Sequence, residues 1–370
     1  MNSAEQHATW VEIDLAAIEA NAAWFVRHSP ARLMAVVKAN GYGHGALSVA
    51  RRARQGGASW FGVARAEEAL ELRRGGILEP ILCLGHVPAA QFEPLIAQAI
   101  SLTVWESDQV QCAAAAAQAC GQAARLHMKV DTGMGRIGIP PEQAVEMARR
   151  IASTPKVALE GVFTHFAKAD AKDPSWTETQ LRSFEDTVAS LAAGGLRPSL
   201  VHAANSAATL RAPATHLDLV RVGIALYGLR TSVYVEQPDG LRPALQWKTL
   251  LSMLKTVPPG TGISYNHRYV TTGHERIGTI PVGYGDGFRR TRGNEVLVGG
   301  RRVPVVGSVC MDQCMIQLDS VPQASVGEEV VLLGRQDAAH LTAEEIAERW
   351  GTINYEVVCG IAARVPRLIV

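Results

Sequence analysis

The feature that most restricts this chain is an alternation running through its first two-thirds. Short runs of Val, Ile and Leu are each followed by a longer amphipathic, Ala-rich stretch. Eight apolar runs recur, at 33–38, 60–64, 81–84, 102–105, 125–130, 159–165, 200–204 and 219–227. They need no polar alternation, because a strand buried on both faces reads as a continuous hydrophobic run. Helix candidates lie between them at 46–55, 65–74, 88–99, 108–119, 141–153 and 177–193, several ending in a glycine pair. Eight strand–helix repeats over about 230 residues fit a (β/α)8 barrel, whose usual size is roughly 250 residues. An open doubly wound sheet is the alternative, but the G-x-G-x-x-G turn expected after its first strand is missing.

Past Tyr227 the texture changes. Residues 235–240 (Val-Glu-Gln-Pro-Asp-Gly) carry turn chemistry and read as a linker. Short β-rich runs follow at 277–281, 295–298, 303–306, 315–318 and 329–333, with one clear helix opened by the capping box Thr342-Ala343-Glu344-Glu345. The expected fold is α/β: an N-terminal (β/α)8 TIM-like barrel over residues 1–234, then a mostly antiparallel β domain over 235–370. An opening strand candidate at 9–14 is left open to packing with the second domain.

Charge and cysteine usage narrow the function classes. Thirty-six Lys and Arg against 35 Asp and Glu leave a net charge of +1, which gives no reason to expect nucleic acid or an anionic membrane as partner. The first ten residues lack a basic segment and an apolar core, and no run approaches the roughly 18 apolar residues of a spanning helix. Six cysteines, sparse for this length, read as reduced and mostly buried thiols. The expectation is a cytoplasmic enzyme.

In a barrel the reactive groups gather at the C-terminal ends of the strands. Those ends carry Lys38, Lys129 with Asp131, His165, His202 and Arg221. Taken singly, a lysine at a strand exit is a solvated lysine, and a histidine in an apolar run is a satisfied core residue. The context of Lys38 weighs differently: an apolar strand delivers it into Gly41-Tyr42-Gly43-His44-Gly45, where backbone can approach a ligand closely. A lysine of lowered pKa in an enclosed site is suited to covalent capture of a carbonyl cofactor. Asn205-Ser206 after the seventh strand and Arg221-Val222-Gly223-Ile224 after the eighth stand where barrels bind phosphate, although a Ser at a helix start is more often a cap. Together the two clues point to pyridoxal phosphate. The run Cys310-Met311-Asp312-Gln313-Cys314 has no zinc-like spacing, so no metal is expected.

Residues 35–45, Ala-Val-Val-Lys-Ala-Asn-Gly-Tyr-Gly-His-Gly, resemble the pyridoxal-phosphate attachment motif of alanine racemases. The likeness continues in order through Lys-Val-Asp-Thr-Gly-Met-Gly-Arg-Ile-Gly (129–138), Thr-His-Phe-Ala (164–167), His-Ala-Ala-Asn-Ser (202–206), Arg-Val-Gly-Ile (221–224) and Ile-Ser-Tyr (263–265). Gly-Tyr-Gly-Asp-Gly (283–287), Val-Cys-Met-Asp-Gln (309–313) and Ile-Asn-Tyr-Glu (353–356) complete it. The resemblance implies two-base interconversion of L- and D-alanine, supplying D-alanine for peptidoglycan or degrading it. Lys38 would hold the cofactor and act as one base, and Tyr265 as the other. Tyr42, Ser206, Gly223, Ile224 and Tyr355 would bind the phosphate, and His165 would pack beside the pyridine ring. Arg221 would donate to the ring nitrogen, oriented by His202. Arg136 and Met311 would grip the substrate carboxylate, with Asp312 beside them, and Lys129 would be a candidate for carbamylation. Tyr265, Met311 and Asp312 would serve the partner's site in a homodimer. Family members often carry Gly and Arg where this chain has Asn266 and Ser308, which leaves the exact specificity open. A serine or broad-specificity racemase is the nearest alternative, a barrel decarboxylase the next, and a non-catalytic cofactor carrier the third.

Overall fold

The computed structural model describes residues 6–370; residues 1–5, read above for a leader segment, lie outside them. The described chain divides into two compact units. One is Ala16–Pro243, and the other joins the described residues up to Leu15 to Ala244–Val370.

The first unit is the barrel. Its strands, after β1 (Thr9–Ile13), are β2 (Arg32–Val36), β3 (Trp60–Val63), β4 (Ile81–Cys83), β5 (Ser101–Val104), β6 (Ala124–Lys129), β7 (Val157–Phe163), β8 (Leu200–His202) and β9 (Leu219–Val222). All eight pairings or near-pairings follow from their position: neighbours run parallel from β8 through β7 down to β2, and β2 pairs in turn with β9. Between β8 and β9 the ladder is replaced by two hydrogen bonds, Asp218 N–H to the Val201 carbonyl at 3.0 Å and Arg221 N–H to the Ala204 carbonyl at 3.1 Å, so the barrel is nearly closed. Met34, Trp60, Leu82, Leu200 and Leu219, from five different strands, form one buried cluster. This is the filled core that a barrel of eight strands requires.

The second unit is a ten-stranded, mostly antiparallel sheet. β1 lies in it between Leu245–Leu250, to which it is antiparallel, and Arg367–Ile369, to which it is parallel. The remaining order runs from Leu245–Leu250 through Glu329–Gln336, Glu295–Val298, Arg301–Val306, Cys314–Gln317 and Glu275–Ile280 to Met253–Val257.

Three local expectations need correction, and one helix stands where no element was expected. A helix at Leu15–His28 follows β1 directly, with no Gly or Pro to mark the change. The β unit holds a second helix, Asn354–Cys359, beside the capped one at Ala343–Trp350. The run 219–227 is a strand only as far as Val222, and Ile224–Tyr227 is a 3-10 turn. No disulfide joins the six cysteines, but only Cys83 and Cys314 are buried. No helix among the described residues is long and apolar enough to cross a membrane.

Candidate active site

Lys38 leaves β2 half-buried and opens an uncommon turn. Ala39, Asn40, Gly41 and Tyr42 all lie in the left-handed region, with φ of 52°, 54°, 61° and 51°. Each non-glycine residue there costs about 1–2 kcal/mol, so the surroundings must enforce the turn. Gly41 N–H donates to the Val37 carbonyl at 2.8 Å and Gly43 N–H to that of Ala39 at 3.0 Å. Asn40 Oδ1 accepts from Ala46 N–H at 3.0 Å, starting the next helix. The Glu68 carboxylate clamps the turn from outside, accepting from Ala39 N–H at 2.6 Å and Ala64 N–H at 2.8 Å.

Across the mouth, Asn205 rather than Ser206 caps the short helix Ser206–Arg211 through its side chain. That leaves the buried Ser206 hydroxyl to accept from Gly223 N–H at 2.9 Å. A Cβ on Gly223 would stand 2.4 Å from Tyr42 Oη. Two hydroxyls and the Gly223–Ile224 backbone therefore converge on one corner that only glycine keeps open. Such a corner of neutral donors suits a phosphate.

The floor of the mouth is cationic. Arg221 is buried, donating through Nη1 to His202 Nδ1 at 2.9 Å and through Nη2 to the carbonyls of Thr164 and Ala203 at 2.8 and 2.9 Å. Burial, helped by nearby Arg136, pushes it down to about 9, still cationic at neutral pH. His165 lies 3.4 Å from the same guanidinium. Burial and then the charges of Arg221, Lys129, Arg136 and Lys38 hold His165 well below its ordinary value. Lys129 is 2% exposed, and its Nζ has no hydrogen-bond partner among the described residues. Burial, Arg221 and Arg136 push it down to about 7. Asp131 opposes that shift, but less strongly than burial and the two arginines promote it. Burial pushes its carboxyl up, but the backbone N–H groups of Gly133, Gly135 and Met134 overcome that and hold it below the carboxylate range. Those contacts, at 2.8–3.1 Å, brace the loop that carries the exposed Arg136. A neutral imidazole facing Arg221, Arg136 and Lys38, with Lys129 poised near neutrality, sits in a positive field that suits anionic ligands.

The other predicted residues belong to the β unit. Tyr265 is 67% exposed and sits between left-handed Ser264 (φ 64°) and Asn266 (φ 59°). Asn tolerates that conformation better than most residues with a side chain, which suits Asn266 to its place. Ser264 Oγ donates to the Ser308 carbonyl at 2.7 Å, and the buried Ser308 returns a 3.3 Å bond to the Tyr265 carbonyl. Ser308 thus fastens the tyrosine loop. Met311, 52% exposed, lies on the adjoining segment, and Asp312 accepts from Arg364 Nη2 at 2.8 Å. Tyr355 is on the helix Asn354–Cys359.

Sequence reasoning missed the supports. Gln180, buried on the helix Ser175–Ala193, accepts from Ala167 N–H at 2.8 Å and donates to the His165 carbonyl at 3.1 Å, fixing that loop. A glutamine at helical spacing from Phe184 and Leu191, on the face that turns inward, was the available signal. His127 and Glu160 were missed as well.

Compared with known proteins, this barrel and β unit fall in the class of amino-acid racemases, isomerases that invert one carbon centre. Two family models match in tandem: alanine racemase, N-terminal domain, over residues 13–231, and alanine racemase, C-terminal domain, over residues 244–369. The chain belongs to the alanine racemase family, which uses pyridoxal phosphate. It is 47% identical to an alanine racemase of Symbiobacterium thermophilum, covering 97% of this chain and 96% of that protein. It is 45% identical to one of Desulfovibrio desulfuricans, covering 98% of each. Among solved structures, alanine racemase of Clostridium difficile 630 superposes with a TM-score of 0.94 at 39% identity, over 99% of this chain and 96% of that one. The enzyme of Bacillus anthracis, described with bound L-Ala-P, gives 0.93 at 42% identity, over 98% and 95%.

Proposed function

We propose that this chain interconverts L- and D-alanine with pyridoxal 5′-phosphate, using Lys38 and Tyr265 as bases on opposite faces of the substrate. The observation that carries the reading is the cationic mouth around His165, paired with the neutral corner at Ser206, Tyr42 and Gly223. When bound, the cofactor supplies an electron sink that acidifies the substrate's Cα–H.

The protein's own groups then have separable tasks. Lys38 would hold the cofactor, and its Nζ would hold or give up the proton on one face of the substrate. Tyr265 would do the same at Oη on the opposite face. Tyr42, Ser206, Gly223, Ile224 and Tyr355 hold the phosphate, and His165 packs beside the ring. Arg221, placed by His202, would face the cofactor ring, where its positive charge would disfavour a ring proton, weaken the sink and favour simple return of the proton. Arg136, Met311 and Asp312 receive the substrate carboxylate.

The exposure of Tyr265, Met311 and Tyr284 on linked loops of the β unit supports a homodimer, in which each site takes the partner subunit's Tyr265, Met311 and Asp312. Cysteines without a disulfide support a reducing compartment, and we place the enzyme in the cytoplasm.

Lys129 is the one cation in this cluster with a reason to change sign. Its amine attacks carbon dioxide and loses a proton, giving a carbamate anion beside Arg136 and Arg221. The group must be neutral to react. With its value near 7, modification should rise as pH climbs through neutrality and reverse on acidification. Mass spectrometry of gently handled protein in bicarbonate, at pH 6 and pH 8.5, checks this; an unmodified lysine at both pH values overturns it.

The function itself is tested with purified holoenzyme and L-alanine in deuterated water. D-Alanine should form with deuterium at Cα, and kcat/KM for alanine should exceed those for serine and lysine. Preference for serine would favour the broad-specificity reading, carbon dioxide release a decarboxylase, and cofactor absorbance without Cα exchange a carrier.

A further inference from the structure

Beneath Arg221 a chain of polar side chains crosses the barrel interior. His202 Nε2 lies 2.9 Å from His127 Nδ1, and His127 Nε2 lies 3.1 Å from Glu160 Oε2. The Ser101 hydroxyl donates to that same carboxylate oxygen. Both imidazoles are wholly buried, with Phe163 stacked on His202 at 4.7 Å and the Trp60 ring against His127 at 5.5 Å.

The direction of the chain follows from its two ends. Arginine only donates, so His202 Nδ1 must accept. A neutral imidazole has one acceptor nitrogen and one donor, so His202 Nε2 carries the proton and gives it to His127 Nδ1. His127 Nε2 is then the donor, and it meets a carboxylate oxygen that accepts. Each link admits one tautomer.

Two backbone features exist to build this end of the chain. The register of β6 against β7 slips by one: Leu126 faces Leu159 but His127 faces Gly161, leaving Glu160 unmatched. A bulge of this kind re-aims a side chain, here toward His127 and Ser101. At Gly161 a Cβ would lie 2.3 Å from His127 Nδ1, so only glycine lets the imidazole occupy its place. Burial pushes the Glu160 carboxyl up, and the bonds from His127 and Ser101 outweigh it.

We propose that Glu160, seated by the bulge and backed by Ser101, is a positioning residue: through His127 it sets the tautomer of His202 and thereby holds the Arg221 guanidinium in the cofactor site. It acts as an acceptor oxygen at the end of a one-way hydrogen-bond chain, five strands deep, that begins at the cofactor. The proposal rests on the role given to Arg221 above.

The test compares holoenzyme carrying Glu160→Gln and Glu160→Leu with the parent. Both donors land on one oxygen, so glutamine can offer Oε1 there and leucine cannot. Solid-state ¹⁵N spectra of histidine-labelled protein, with His127→Asn to assign the signals, should show Nε2–H, Nδ1-accepting imidazoles in the parent and in Glu160→Gln. In Glu160→Leu the His127 signals should move or split. Its kcat should fall by up to about 10²-fold, the scale expected when a reacting group is displaced by about 1 Å, with KM for alanine little changed. Glu160→Gln should keep most of kcat. A parent spectrum with the opposite tautomers overturns the chain itself. A Glu160→Leu spectrum like the parent's, with only a lowered melting temperature, makes the residue merely structural and overturns its positioning role. A perturbed spectrum with parental kcat severs the chain from Arg221's function while leaving the racemase reading intact, and it too overturns the proposal.

Discussion

Lys38→Ala holoenzyme should racemise alanine at the level of a protein-free blank, a loss of at least about 10⁴-fold in kcat. A positioned general base contributes about 10²–10⁴-fold, and in the proposed mechanism the lysine also anchors the cofactor. The substitution should leave the fold alone, because the left-handed turn beyond Lys38 is held by backbone bonds to Val37 and Ala39 and by the Glu68 clamp. The visible absorbance of attached cofactor should vanish with the activity, and a small primary amine added to the mutant should restore part of both. Activity retained in Lys38→Ala would remove the residue from the mechanism. Absorbance retained without activity would assign attachment to another amine.

Tyr265→Phe should produce the second large effect, a fall of about 10²–10⁴-fold in racemisation in either direction. Its signature is stereochemical. With one base gone, Lys38 still works on its own face, so one enantiomer of alanine should continue to exchange its Cα proton with deuterated water without inverting. The other should not exchange at all. Proton spectra of each pure enantiomer incubated with the mutant would decide. Equal residual exchange from both enantiomers would contradict opposite-face bases. Because the side chain is 67% exposed in the subunit, the unfolding free energy of the subunit should change little, within about 0.5 kcal/mol.

The barrel was legible because its strands are buried on both faces, which writes them as unbroken apolar runs. Lys38 stood out for a related reason: its charge ends such a run and is followed by glycines. Elements whose local signals run against their final state were harder to read. The helix Leu15–His28 continues from β1 with no breaker residue between them. Asn354–Cys359 has Tyr355, Val357 and Val358 in six residues, a composition that favours strand until tertiary packing overrides it. Glu160 was illegible for a sharper reason. Simple alternation along β7 puts it on the opposite face from Gly161 and Phe163, and only the slipped register turns it toward His127. Tyr265 read by itself is a loop aromatic. Its importance came from the family resemblance, although the flanking positive-φ residues now show how the loop is shaped to present it.

The placement of β1 has a consequence for how the molecule is made. Thr9–Ile13 is synthesised before the whole barrel, yet its antiparallel partner is Leu245–Leu250 and its parallel partner is Arg367–Ile369, both of which follow the barrel. In order of synthesis the barrel is an insertion within the β unit, complete before that unit can begin to close. The nascent protein therefore carries that strand with both edges open while the whole barrel is made, and Arg367–Ile369 acts as a latch. Disrupting the latch strand should cost yield in the cell more than it costs any one contact in the finished enzyme, since an open edge is where aggregation starts.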